Sequence, residues 1–205
     1  MGRKAKITKE MVLEAAFSLL DEGGIGAVGI KSIAAKLGCS TQPVSWLFGS
    51  MTELKKELYF YAGHRLYDSM ENAMRGKDAF EAFYATGVQY LTIACDHPNV
   101  FRFTNVDDPM ETIGESIHGD NSIFSAQFDE GAARLLARQF QVPADKVGEA
   151  VRDTVIYTHG LALMMMFDSY KLPKEQAFKM MFQMGEKMLR EIGIDTSAYK
   201  AQGSE

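Results

Sequence analysis

Only two cysteines occur in the 205 residues, Cys39 and Cys95, and neither opens a CxxC pair. That excludes a disulfide framework and a cysteine-based zinc site, and it fits a chain kept in a reducing cytoplasm. Histidine is as sparse. His64, His97, His118 and His159 lie more than twenty residues apart, so no metal-ligand spacing arises. There is no Gly-rich phosphate loop, no HExxH and no nucleophile elbow, so the chain reads as a non-enzyme with no catalytic residues, no metal and no cofactor. Long apolar runs are missing too. The longest, at 161–167, falls far short of the roughly 18–20 residues that a membrane span needs. The stretch MGRKAKITKE is basic but has no apolar region behind it, so it is not read as a secretory signal. Lys6 stands where a myristoylation site needs Ser or Thr. No segment alternates convincingly with period two, which leaves an all-α chain.

Net charge is −5, which at first argues against nucleic acid. Its distribution changes the reading. Residues 1–60 carry eight Lys/Arg against six Asp/Glu, giving +2, and the remainder carries fourteen against twenty-one, giving −7. Fields fade over about 8–10 Å in physiological salt, so a small basic end on an acidic body is compatible with DNA. Arg3, Lys4, Lys6 and Lys9 form a basic arm able to reach backbone or minor groove.

The segment IKSIAAKLGCSTQPVSWLFGSMTEL, at 30–54, is the most informative part of the chain. Ile33, Ala34 and Leu37 give one short helix its apolar face. Gly38 follows, where a helix-ending residue free to take positive φ belongs. Ser40 stands at the N-cap of a second short helix. That helix turns Val44, Leu47 and Phe48 inward at spacings of three and four, and leaves Thr41, Gln42, Ser45 and Trp46 outward. A helix-turn-helix lays its second helix in the major groove, so those outward side chains would meet DNA. Gln can pair with adenine and Thr can touch a thymine methyl. Trp46 can equally stack on the sugar-phosphate edge or cover the domain's own core. Lys31 and Lys55 are the phosphate candidates. Thr8 can cap a bracing helix over 9–22 with Met11, Val12, Ala15, Ala16, Leu19 and Leu20 buried, ended by Gly23, Gly24 and Gly26.

With those residues in place, the first sixty resemble the N-terminal domain of the TetR/AcrR family of transcriptional regulators. The matching pieces are VLEAAFSLLDEGG, IKSIAAKLGCS, the short helix ending in Phe48, and TELKKEL. HPNVFRF at 97–103 and THGLALMM at 158–165 echo family members further on. The chain departs from the family pattern at Ser45, where a Tyr is usual, and at Met51, where a phosphate-contacting Lys is usual. Pro43 sits inside the recognition helix, tolerable in a first turn that has no intrahelical partners for its N–H groups, and it withholds one donor from a phosphate.

The body reads as helices over 52–74, 79 to just before His97, 99–104, 121–140, 144–167 and 174–192, about nine in all with those of the N-terminal domain. Leu54, Leu58, Tyr61, Leu66 and Met70 are expected on the buried side of the fourth, and Phe80, Phe83, Tyr84, Val88 and Leu91 on that of the fifth. Asp78 caps the fifth, Pro143 and Pro173 open the last two, and Gly193 closes the last. The stretch 107–121 reads as an irregular loop or short turn, and 195–205 as a loose tail. The domain division is 1–50 for a helix-turn-helix domain with its basic arm and 51–205 for a helical effector-binding and dimerisation domain. The last two long helices are apolar on more than one side, with Val147, Val151 and Thr154 on one and Ala177, Met181 and Met184 on the other. A helix apolar on two sides must be covered twice, which predicts a partner chain. Pairing of these helices into a four-helix homodimer interface is also what the resemblance implies.

The resemblance further implies an effector cavity among the body helices. From the aromatic and polar residues of the middle of the chain, Phe83, Tyr90, Phe101, Asn105, Phe124, Gln127, Phe128, Tyr157 and His159 are the ligand-binding candidates; His159 also reads as a hydrogen-bonded buried imidazole. The DNA-binding set is Lys31, Thr41, Gln42, Pro43, Ser45, Trp46 and Lys55. The expectation is a cytoplasmic, homodimeric regulator, by default a repressor. It would bind a palindromic operator in double-stranded DNA and answer to an unknown small-molecule effector, with no membrane partner. The competing expectation is a helical small-molecule-binding protein with weakened or lost DNA binding.

Overall fold

Thr8 begins the first helix as its spacing demands. In the computed structural model, which describes residues 7–115, 126–167, 169, 170, 172–197 and 199, with the side chains of 126–131 outside that description, the Thr8 hydroxyl accepts the Met11 N–H at 3.2 Å and starts helix α1, Lys9–Gly23. Its apolar stripe buries Val12, Ala15, Ala16 and Leu20. A single 3-10 turn, Ile25–Ala27, leads to α2, Ile30–Lys36. The Ser32 hydroxyl accepts from the Gly29 N–H at 3.0 Å and so holds the first turn of α2.

The remaining helices are α3 Thr41–Phe48, α4 Met51–Met74, α5 Ala79–Asp96, α6 Pro98–Asn105, α7 Pro109–Ile113, α8 Ala126–Phe140, α9 Ala144–Met166 and α10 Lys174–Glu191. All regular structure among the described residues is helical. None of these helices is long and apolar enough to cross a membrane.

The chain divides into two compact units. The first comprises 1–66 and 97–121, the second 67–96 and 122–205. In the first, α1, α2, α3 and the start of α4 pack around Val12, Leu20, Ile33, Val44, Leu54 and Leu58. Helix α6 belongs to this unit. Its Phe101 and Phe103 are almost wholly enclosed, and the Asn99 amide donates to the Asp21 carbonyl at 2.9 Å. His97 Nδ1 lies 3.0 Å from both carboxylate oxygens of Asp21.

Helix α7 corrects the expectation of an irregular loop over 107–121. Asp108 caps it by accepting from the Met110 N–H at 2.8 Å, Pro109 fits its first turn, and Ile113 is 1% exposed. Proline and glycine density suggested a loop; a cap, an N-terminal Pro and one buried Ile suffice for a short helix. The rest of that stretch, and the expected start of the next helix at 121–125, lie outside the described residues. On α4 the aromatic that goes inward is Tyr59, with Tyr61 only half-buried. Tyr59 donates to the Thr104 carbonyl at 3.1 Å and meets Phe103 edge-on at 5.6 Å. Tyr61 instead accepts from the Arg65 guanidinium at 3.1 Å.

The second unit is built on α5, α8, α9 and α10 with the end of α4. Phe80, Leu91, Leu136, Val147, Val151, Leu161, Ala162, Met181 and Leu189 form its core. Tyr84 lies close over Gly185, where an added Cβ would sit 2.8 Å from the phenol oxygen, and it donates to the Phe182 carbonyl at 3.3 Å. Asp78 caps α5 by accepting from the Glu81 N–H at 2.9 Å. Val88 and Leu135 are surface residues here, one position round from the buried stripes that hold Leu91 and Leu136. The tail is anchored rather than loose where it is described. Ile194 and Thr196 are 2% exposed, and Tyr199 stacks on Phe80 at 4.0 Å while donating to Asp78 at 2.9 Å. An apolar Ile and a Tyr with a carboxylate in reach outweigh the loss of freedom that leaves polar tails unfixed.

Candidate nucleic-acid interface

The turn between α2 and α3 is set by backbone geometry. Gly38 takes φ +63°, a conformation costly for a side chain with a Cβ, and the two following bonds close the helix end. The Gly38 N–H donates to the Ala35 carbonyl at 3.2 Å, and the Cys39 N–H to the Ala34 carbonyl at 3.0 Å. This pair of bonds is the Schellman arrangement, and it fixes the direction in which α3 departs. Ser40 holds the N-cap position, with no hydrogen bond from its side chain. Val44 and Phe48 anchor α3 from below, and Gly49 at φ +71° ends it. Ser50, which sequence reasoning passed over, then caps α4 by accepting from the Glu53 N–H at 3.1 Å. The signal was present as Ser-Met-Thr-Glu, the spacing of a capping box.

Of the seven residues expected to meet DNA, Thr41, Gln42 and Lys31 are exposed, and Trp46 is 77% exposed. That removes the reading in which Trp46 covers the domain's core. Pro43, Ser45 and Lys55 are half-buried. The Ser45 hydroxyl donates to the Thr41 carbonyl at 3.1 Å, so its proton is committed to the helix. Lys31 and Lys55 have no ion-pair partner among the described residues. Their neighbours differ: Lys9 binds Glu57 at 2.5 Å and lies 5.3 Å from the Phe48 ring centre, Lys36 binds Glu22 at 2.7 Å, and Lys56 binds Glu115 at 2.6 Å. Arg3, Lys4 and Lys6 lie outside the described residues.

The ligand-binding candidates separate. Phe83, Tyr90, Tyr157 and His159 belong to the second unit, Phe101 and Asn105 to the first. Phe124, and the side chains of Gln127 and Phe128 on α8, lie outside the described residues. Tyr90 and His159 are brought together, with the phenol oxygen 2.7 Å from Nδ1. Burial pushes the Tyr90 hydroxyl well above the usual tyrosine range and holds the His159 imidazole below its ordinary 6.5, so both stay neutral. Phe83 is buried and meets Tyr84 edge-on at 5.6 Å, and Tyr157 is half-buried. Phe101 is wholly enclosed. The Asn105 amide donates to the Thr104 hydroxyl at 2.8 Å and the Phe101 carbonyl at 3.2 Å, while its buried Oδ1 has no partner among the described residues. No group of three or more His, Cys, Asp or Glu is placed to hold a metal among the described residues.

The His159 environment carries a pH signature. Above 6.5 the imidazole is neutral in both the folded and the unfolded chain. As pH falls through 6.5 the unfolded chain takes up a proton that the folded one resists, so stability present above that value is lost toward acid. Thermal midpoints of the wild type should fall as pH is lowered below 6.5, and His159→Gln should flatten that slope. Equal slopes in the two proteins would remove His159 as the cause.

Comparison with known proteins follows the same lines. The family described as bacterial regulatory proteins, tetR family, matches residues 12–58. No curated protein matches the chain. Among solved structures, a TetR-like transcriptional regulator from Rhodococcus sp. RHA1 is similar at TM-score 0.63 and 16% identity, over 93% of this chain and 98% of that one. A second transcriptional regulator from Rhodococcus sp. RHA1 gives 0.62 and 14%, over 92% and 100%. A TetR variant from Acinetobacter baumannii AYE, in complex with minocycline, gives 0.58 and 17%, over 92% and 100%. At these identities the structural likenesses speak for the fold, while the match at 12–58 covers α1 to α3 and the first turns of α4. Residues 12–58 thus match the tetR family of bacterial regulatory proteins, and the chain has the fold of the TetR-like regulators it resembles.

Proposed function

We propose that the protein is a cytoplasmic DNA-binding transcriptional regulator, by default a repressor. It binds a palindromic operator as a homodimer and responds to a small-molecule effector. The observation that carries this reading is the outward side of α3. Thr41, Gln42 and Trp46 are exposed on a helix held from below by Val44 and Phe48 and aimed by the turn at Gly38. Lys31 on α2 and Lys55 on α4 have no ion-pair partner among the described residues and can serve phosphates. Two such heads related by a twofold meet half-sites about 34–36 Å apart, which makes the operator palindromic. The reading divides the chain at 1–50 for DNA and 51–205 for dimer and effector.

The second copy is supported by α9. Ile156, Gly160, Met164 and Phe167 are exposed at spacings of four and three, an apolar line on the side of α9 away from its buried Val147, Val151 and Leu161. Such a line against water favours a covering partner. On the effector side, Tyr90 and His159 supply one hydrogen-bonding pair inside the second unit. An effector that prefers one arrangement of the body changes operator affinity roughly 5–150-fold for a coupling of about 1–3 kcal/mol.

The test is a gel-shift titration of the full chain on DNA flanking its own gene, with and without candidate effectors, alongside sizing in solution. A retarded complex with two subunits per operator supports the proposal. A protein that stays monomeric and retards no genomic fragment sinks it.

A further inference from the structure

From Thr41 to Phe48 the recognition helix contains no Lys, Arg, Asp or Glu. What it shows outward is an amide at Gln42, a hydroxyl and methyl at Thr41, and an indole that is 77% exposed at Trp46. Ser45 spends its proton on the Thr41 carbonyl, so only a lone pair remains to face outward. That lone pair can accept an exocyclic amine of adenine or of cytosine and does not discriminate alone. Lys31 and Lys55, which have no ion-pair partner among the described residues, stand on α2 and α4.

The base edges in the major groove ask for different chemistry. Guanine presents two acceptors, met by Arg or Lys. Cytosine presents an amine, met by a carboxylate. Adenine is met by the side-chain amide of Asn or Gln, and thymine by apolar contact with its methyl. Helix α3 holds the amide and apolar groups that suit the last two, and neither the Arg or Lys nor the carboxylate that suits the first two. Pro43 sharpens the bias, because it has no N–H to offer a guanine acceptor.

We propose that the half-site read by α3 is centred on A·T pairs, with Gln42 on adenine and Trp46 as the specificity-determining residue on thymine methyls. The inference rests on the DNA-binding reading and adds the class of sequence bound. The indole is 77% exposed, so most of its area is available to be covered by methyl groups. Each methyl buried there accounts for about fourfold in affinity.

The test begins with selection of binding sites from randomised duplexes by the full-length protein. Thymines in the selected half-sites are then replaced by deoxyuridine, which lacks only the methyl. The expected result is enrichment of half-sites with A·T centres and a loss of wild-type affinity of about fourfold per contacted methyl. Trp46→Ala should bind thymine and uracil duplexes equally. Because Trp46 is exposed, its far-UV spectrum and thermal midpoint should match the wild type. Selected half-sites with G·C centres, or a uracil effect that persists in Trp46→Ala, overturn the inference and leave DNA binding standing. A Trp46→Ala protein that loses its dimer also overturns it, since the indole then serves a protein contact. Selection of no duplex at all overturns the DNA-binding reading and this inference with it.

Discussion

Phe101→Ala should cost the first unit about 3–5 kcal/mol. Phe101 was a candidate for a ligand cavity wall, and such a wall would have one face open. Instead it is 0% exposed, on a helix whose Val100 and Phe103 are also enclosed. Truncation removes a large apolar area from the interior and leaves a void lined by side chains that cannot all relax into it. Since whole domains are stable by only about 5–15 kcal/mol, the loss is a large fraction of the total. In urea the midpoint of the first unit's transition should fall by roughly 1–2 M. A fall of a few tenths would return Phe101 to the list of ligand contacts, because a residue lining an empty cavity gives up little when shortened.

The salt dependence of operator binding should reveal how few cations the head can spare. Lys9, Lys36 and Lys56 each sit against a carboxylate within 2.7 Å. Moving such a lysine to a phosphate strands its partner, so it contributes little net attraction. Lys31 and Lys55 have no ion-pair partner among the described residues, giving four contacts in a dimer. With about 0.9 counterions released per contact, the slope of log affinity against log salt should be about −3.6. Affinity should therefore drop about a hundredfold between 50 and 200 mM salt. Lys55→Ala should reduce the slope by about 1.8 in the dimer and leave base preference unchanged, whereas Lys36→Ala should change it little. A slope that Lys55→Ala does not alter would remove α4 from the interface. A wild-type slope near −9 would bring the arm of Arg3, Lys4 and Lys6 onto the backbone, at about three further contacts per subunit.

The parts of this fold legible in the sequence are those decided within a few residues. Thr8 as a cap, Gly38 as a helix end and Asp78 as the start of α5 all act over three or four positions, and local chemistry settles them. The parts that were illegible depend on residues far along the chain. Whether Tyr59 or Tyr61 turns inward on α4 is decided by Phe103 and the Thr104 carbonyl, more than forty positions away. Helix α7 exists because Ile113 finds a core, which its own sequence does not announce. The same holds for the interface. Its proposed location at α3 rests on local spacing, but which lysines lack an ion pair among the described residues does not. Glu57 and Glu115 lie 48 and 59 residues from the lysines they hold. The exposure of Trp46 was equally open, because an indole on a short helix packs as readily as it projects.

The turn at Gly38 has a consequence for how this protein can change over generations. Its two bonds run between main-chain atoms, and α3 is seated through Val44 and Phe48. Thr41, Gln42 and Trp46 hold nothing up. Exchanging them leaves scaffold and aim intact, so, if they read DNA as proposed, descendants of one gene can acquire new target sites by altering these positions alone, without first repairing a weakened fold.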